Sequence, residues 1–212
     1  MLQRFLHSFL LLCLLVLAPI TAFAAGPNWE LVQDEEGIQV WGLEIPGKDL
    51  PGFRGVTVVD ASIDEILNEM LDIPTHVEWM YRCRDARMLK QMTESHGILY
   101  NRVRAPWPIK DRDMVIDVDY RFTPQHNALT IRFRNTNEVD VPVPFWTVRI
   151  PRIEGFYRLW LDDAGKTNVL YQVEVDIGGN VPDGSARRYA RKLPFVTLLN
   201  LRERAESSHR KK

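Results

Sequence analysis

Cysteine is nearly missing from this chain: of 212 residues, only Cys13 and Cys83 carry a thiol. Cys13 falls inside an N-terminal apolar run, so one thiol is left for the body. That excludes an intrachain disulfide and a metal site built on paired cysteines. The five histidines (His7, His76, His96, His126 and His209) are scattered, with no pair at metal-ligand spacing. There is no Gly-x-Ser-x-Gly elbow, phosphate loop or dinucleotide fingerprint. Gly178-Gly179 is only a pair of glycines between a strand and a helix. No catalytic constellation, metal or cofactor is expected. The formal net charge of −1 carries no nucleic-acid footprint.

Long apolar runs are also absent: none reaches the ~20 residues that cross a bilayer. The run at 9–18 follows Arg4 and precedes Ala22-Phe23-Ala24, the layout of a secretory signal peptide. Cleavage after Ala24 is expected, with an uncleaved N-terminal anchor as the alternative. Removing 24 of 212 residues leaves 188, a length suited to one domain with a sizeable core. That domain, 25–206, is expected to be monomeric and to work in the periplasm or outside the cell. Residues 187–212 hold nine basic and two acidic side chains. Arg187, Arg188, Arg191 and Lys192 are therefore candidates for transient contact with an anionic membrane. Residues 207–212 (SSHRKK) read as a flexible basic tail.

Strands are expected at 37–42 (GIQVWG) and 52–59 (GFRGVTVV). Ser62, three residues before Glu65, makes a capping box. Ile63, Ile66, Leu67 and Met70 then follow at helical spacing. Pro74 ends that helix and opens a short second one containing Val77 and Trp79. The period then changes to two. A strand is read at 98–103, and at 113–122 Met114, Ile116, Val118, Tyr120 and Phe122 oppose Asp117, Asp119 and Arg121. Leu129, Ile131 and Phe133 alternate with Thr130 and Arg132, and Val169, Tyr171, Val173, Val175 and Ile177 with Gln172, Glu174 and Asp176. This is the pattern of antiparallel strands with one apolar and one wet face. A last helix is expected over 183–206, about 36 Å long at ~1.5 Å per residue, with a bend at Pro194. The predicted architecture is α+β: a curved antiparallel sheet of seven to nine strands wrapped around a long C-terminal helix.

Such a sheet either fills its concave face with side chains or leaves an elongated apolar cavity. The candidate lining is Tyr100, Met114, Ile116, Val118, Tyr120, Ile131, Phe133, Tyr171, Val173, Val175, Tyr189, Leu193 and Val196. The acidic cluster Asp111, Asp113, Asp117 and Asp119 is expected to pair across strands with Arg102, Arg104, Arg132 or Arg134; a catalytic carboxylate pair is the rarer use. Trp79, Trp107, Trp146 and Trp160 sit near inferred turns, where an indole either packs in the core or lines a pocket mouth or lipid interface. Residues 141–146 (VPVPFW) are held extended by two prolines, as a rim beside the cavity or as packing across the sheet end.

Four stretches resemble the START family, the lipid-transfer domains related to the steroidogenic acute regulatory protein. They are 37–40 (GIQV), Trp79, 103–115 (VRAPWPIKDRDMV) with its Pro108 and Arg112-Asp113, and 175–182 (VDIGGNVP). The resemblance spans about 29–204 and implies a helix-grip fold with an internal tunnel for one lipid, bound and shuttled without chemistry. It implies structural roles for Trp79, for Arg112 and Asp113 at a strand entry, and for Pro182 at the start of the last helix. Sterol-binding members carry a buried arginine where this chain has Val118, which favours an apolar chain or an amphiphile whose head stays near the mouth, such as a phospholipid, fatty acid or other lipid. A cyclase- or aromatase-like enzyme of the same superfamily, or an interaction module with a filled core, are the alternatives.

Overall fold

The computed structural model describes residues 28–47, 50–179, 181 and 183–210. The expected signal peptide and Pro182 lie outside the described residues. The strands are β1 (Glu30–Glu35), β2 (Ile38–Leu43), β3 (Gly52–Val59), β4 (Cys83–Thr93), β5 (His96–Val103), β6 (Asp111–Thr123), β7 (Ala128–Asn135), β8 (Thr147–Arg149), β9 (Arg152–Leu161) and β10 (Thr167–Asp176). The helices are α1 (Ile63–Leu71), α2 (His76–Trp79) after a short 3₁₀ turn, and α3 (Asp183–His209). The strands form one sheet in the order β1-β2-β3-β10-β9-β7-β6-β5-β4. The short β8 lies parallel to β6, and the other pairs are antiparallel. This is the helix-grip architecture, with ten strands among the described residues against the seven to nine expected.

The Ser62–Glu65 capping box forms as read, each side chain meeting the other residue's backbone N–H. The strands missed by periodicity lack a clean period. β4 is an edge strand, mostly exposed, with three irregularities in its pairing to β5, and β1 is an exposed edge with one irregularity. β9 carries Gly155 on its inward face and the large apolar Phe156 and Trp160 among the charges of its outer one. Irregular, charged edges deter pairing with another chain, and the same irregularity erases alternation.

α3 packs along β2 and β3 and against α1, burying Ala186, Ala190, Thr197, Leu198, Leu201 and Ala205. Val196, expected in the cavity lining, is half-buried and outside the core cluster, while Leu198 takes the inward place. Gly55 lets the helix approach. A Cβ at Gly55 would lie 2.7 Å from Leu198 Cδ1 and 3.1 Å from Pro194 Cβ. Gly55→Val is expected to lower stability by about 1–3 kcal/mol through overpacking. An unchanged urea midpoint would show that the helix does not bear on that strand.

The tail reading is corrected at 207–209. The helix continues to His209, where Ser208 Oγ donates to Glu69 at 2.7 Å and His209 Nδ1 lies 2.9 Å from Glu65. Carboxylates on α1 give these residues partners that composition alone does not show.

Candidate functional site

Between the sheet's concave face and the helices lies a cavity of about 260 Å³. Much of its sheet side comes from the inward phase of β6 (Met114, Ile116, Val118 and Tyr120), β7 (Ile131 and Phe133) and β5 (Leu99 and Asn101), with β4, β9 and β10 contributing the rest. Met70, Ile73, His76, Trp79 and Met80 close the helix side. Tyr157 and Tyr171, also in the lining, stack with ring centroids 4.3 Å apart and planes 4° from parallel. Phe133 packs 6.1 and 6.2 Å from them. Burial, the main cause, pushes both phenols well above the ordinary tyrosine range, so both are neutral.

A second apolar space of about 90 Å³ adjoins the first, sharing Met114 and Ile153 with it. Val175, Ala186, Tyr189, Ala190 and Leu193 line it, together with Pro106 and Ile109 of the loop before β6. Thus seven of the thirteen residues expected in the lining face the larger space (Met114, Ile116, Val118, Tyr120, Ile131, Phe133 and Tyr171). Val175, Tyr189 and Leu193 face the smaller one. Val173 is buried in the core and lines neither; nor does the half-buried Val196.

Tyr100 is corrected to the opposite face. In the β5–β6 register Leu99 faces Ile116 and Asn101 faces Met114, so Tyr100 goes outward with its partner Val115. It packs there with Ile98, Val115 and Val141. β5 is apolar on both sides because residues 139–141 cover its outer face, so alternation within β5 did not give the phase. Its partner strand gives it.

Arg112 and Asp113 tie the entry of β6 to different elements and not to each other. Arg112 donates to the carbonyls of Ile177 at 3.0 Å and Gly178 at 2.8 Å, fastening β6 to the segment after β10. Asp113 is fully buried. It accepts from Arg149 Nε at 2.9 Å and Nη2 at 3.0 Å, and from the Tyr100 hydroxyl at 3.2 Å. Burial first, then the Asp113 charge, pushes the Tyr100 phenol up to about 12. The other aspartates also have ordinary uses: Asp111 pairs with Arg84 and Arg102, and Asp117 with His96. Asp117 and Asp119 sit opposite Arg134 and Arg132 in the β6–β7 register.

Trp79 is buried, lines the large cavity, and meets His76 edge to face at 5.0 Å. Trp107 is 86% and Phe145 92% exposed, with Val143 and Trp146 also exposed. Arg187 pairs with Glu44 at 2.6 Å. With Arg188 and Arg191 it borders an open groove of about 760 Å³ whose other bank includes Glu30, Glu44 and Phe53. Lys192 is exposed. Sequence reasoning missed His76, Asn101 and Tyr157 in the cavity. For Asn101, as for Leu99 two residues away, only the pairing of β5 with β6 turns the side chain inward. Among the described residues no cluster suited to a metal ion occurs, and no helix is long and apolar enough to cross a membrane.

No family model matches the chain. A protein of Pseudomonas aeruginosa, itself uncharacterized, is 30% identical over 183 residues, which cover 86% of this chain and 89% of the relative. The crystal structure of a STAR-related lipid transfer protein from Xanthomonas axonopodis (fragment 25–204) is 30% identical with a TM-score of 0.75, covering 84% of this chain and 98% of that one. The chain belongs to the START family. Human StAR-related lipid transfer protein 5 shares the START fold at 16% identity, with a TM-score of 0.75 and coverage of 88% and 89%. Within the START fold the chain places a largely apolar cavity against the helix grip, with Val118 on its wall and the exposed Gln91 and Glu94 and the half-buried Ser95 at its rim.

Proposed function

We propose that this START domain binds one hydrophobic ligand in its internal cavity and exchanges it at a membrane, without transforming it. The family supports lipid binding, and the observation that carries the reading is the apolar cavity of about 260 Å³ under the helix grip. It lies just below the ~300–1,000 Å³ usual for ligand pockets, so a single-chain lipid suits it better than a two-chain phospholipid. Each buried CH₂ contributes about 0.8 kcal/mol, so a chain is held by shape. We place this work in the periplasm or outside the cell, as a monomer of 25–212 freed from its leader.

The smaller space gives the ligand a way out. Pro106 and Ile109 line it, and Trp107 between them projects outward. Lys110 lies 5.6 Å over the ring of Trp146, next to the exposed Phe145. Exposed aromatic rings beside a cation suit the headgroup layer of a bilayer. Arg188, Arg191 and Lys192, on the helix half that borders the same space, add attraction to anionic lipid. Trp107→Ser with Phe145→Ser is expected to reduce sedimentation with anionic vesicles at least fivefold while leaving the circular dichroism spectrum unchanged. Undiminished sedimentation would remove these loops from the membrane contact.

The function itself is tested by native mass spectrometry of the purified mature chain, with organic extraction of what co-purifies. A stoichiometric lipid is expected. A chain still empty after incubation with mixed liposomes would overturn the reading. One observation favours a catalytic alternative: His76 is an inward-facing imidazole, held neutral mainly by burial. A general base needs such a group poised near the operating pH. Yet the His76 Nε2 partner is the Met70 carbonyl at 2.8 Å and not a carboxylate. Mass-changed extracted ligand would decide for chemistry.

A further inference from the structure

Three polar atoms of buried cavity-lining residues have no hydrogen-bond partner: His76 Nδ1, Trp79 Nε1 and Asn101 Oδ1. All three residues are more than nine-tenths buried. Native interiors rarely leave such groups unpaired, and three around one cavity call for an explanation. The His76 and Trp79 rings meet edge to face at 5.0 Å, and the Asn101 amide lies against the next residue in the chain, its Nδ2 3.9 Å from the Met80 sulfur.

The chemistry of the set follows from what each atom already does. His76 Nε2 faces the Met70 carbonyl, which can only accept, so Nε2 carries the hydrogen. The ring is neutral because burial lowers its pKa, and Nδ1 is then a bare acceptor. The Trp79 indole N–H can only donate. Asn101 turns its NH₂ toward the sulfurs of Met80 and Cys83, at 3.9 and 3.8 Å, and leaves Oδ1 as an acceptor. The set therefore offers one donor, two acceptors and no cation. Arg204, whose charge reaches His76, is held by Glu69 and Glu78. A carboxylate or phosphate would meet two lone pairs and no counter-charge, and would leave its own charge buried. A hydroxyl brings one hydrogen, for His76 or Asn101, and a primary amide brings two; either supplies an oxygen for Trp79. Met80 is the flexible cover: displacing an unbranched thioether uncovers the Asn101 amide without disturbing backbone.

We infer that His76, Trp79 and Asn101 form a polar subsite for the uncharged, hydrogen-donating head group of a single-chain lipid, a hydroxyl or primary amide. This rests on the lipid-binding reading and names the ligand class for the same cavity.

The test uses delipidated mature protein and four ligands of one chain length: oleyl alcohol, oleamide, methyl oleate and oleate, compared by competition in native mass spectrometry. Oleyl alcohol and oleamide are expected to bind at least tenfold more tightly than methyl oleate, which has no hydrogen to donate, and than oleate, which is charged. Asn101→Leu replaces the amide with an apolar group of similar shape. It is expected to bring the alcohol-to-ester ratio within twofold while melting no lower than the parent, since it removes an unsatisfied atom. Trp79→Phe, which deletes the donor alone, is expected to weaken oleamide more than methyl oleate. Oleate binding as tightly as oleyl alcohol, or an Asn101→Leu variant that keeps the parent's ratio, would overturn the subsite and leave lipid binding standing. Failure of all four ligands to bind would overturn lipid binding itself.

Discussion

Asp113→Asn is expected to destabilise the domain by about 3 kcal/mol, the range for removing one partner of a buried ion pair. Asp113 is fully buried and takes two N–H bonds from Arg149, whose Nη2 also donates to the Val141 carbonyl at 2.8 Å. The Asp113 backbone carbonyl accepts from Ile150 at 2.9 Å. One residue thus joins β6 to β8, to the 139–141 segment and, through the Tyr100 hydroxyl, to β5. The amide keeps the shape but loses the charge, leaving the Arg149 guanidinium partly desolvated without its counter-ion. Urea unfolding of this variant beside Asp117→Asn is the measurement. Asp117 pairs with His96, which is about one-third exposed, and its replacement is expected to change stability by less than about 1 kcal/mol. Equal losses would show that the Asp113 network is not special.

Met114→Trp is expected to lower lipid occupancy by at least tenfold while leaving the fold intact. Met114 lines both spaces and stands where they meet. A larger, stiffer ring there fills volume that a ligand passing between them must use. Overpacking costs about 1–3 kcal/mol, which a domain of this size tolerates, and the melting temperature reports that part separately. Asp119→Asn, on the opposite face of the same strand, serves as the control and is expected to keep full occupancy. Occupancy in Met114→Trp equal to the control would mean that the ligand never reaches that point.

Much of the fold was legible because it is written at short range. The capping box needs only Ser62 and Glu65 three residues apart, and β6, β7 and β10 declare themselves because one face is wet. Where both faces are covered or neither is, alternation says nothing: the phase of β5 was misread at Tyr100, and β4 and β9 went unread. The basic end looked like a free tail because its partners on α1, Glu65 and Glu69, are more than a hundred residues away in the chain.

The cavity followed the same division. Its β6, β7 and β10 walls were readable from the period of two, but its helix wall was not. His76 sits on a helix of four residues, too short to show a face, and Asn101 looks like any polar strand residue until its pairing with Met114 turns it inward. By itself the sequence determined the faces of β6, β7 and β10, the helix limits within a few residues and the family, since these depend on local spacing and on residues in order. Only the tertiary structure decided how large the cavity is, which polar atoms lack partners around it and which aromatic rings stand in solvent. Those properties arise from side chains far apart in the chain packing, or failing to pack, against one another.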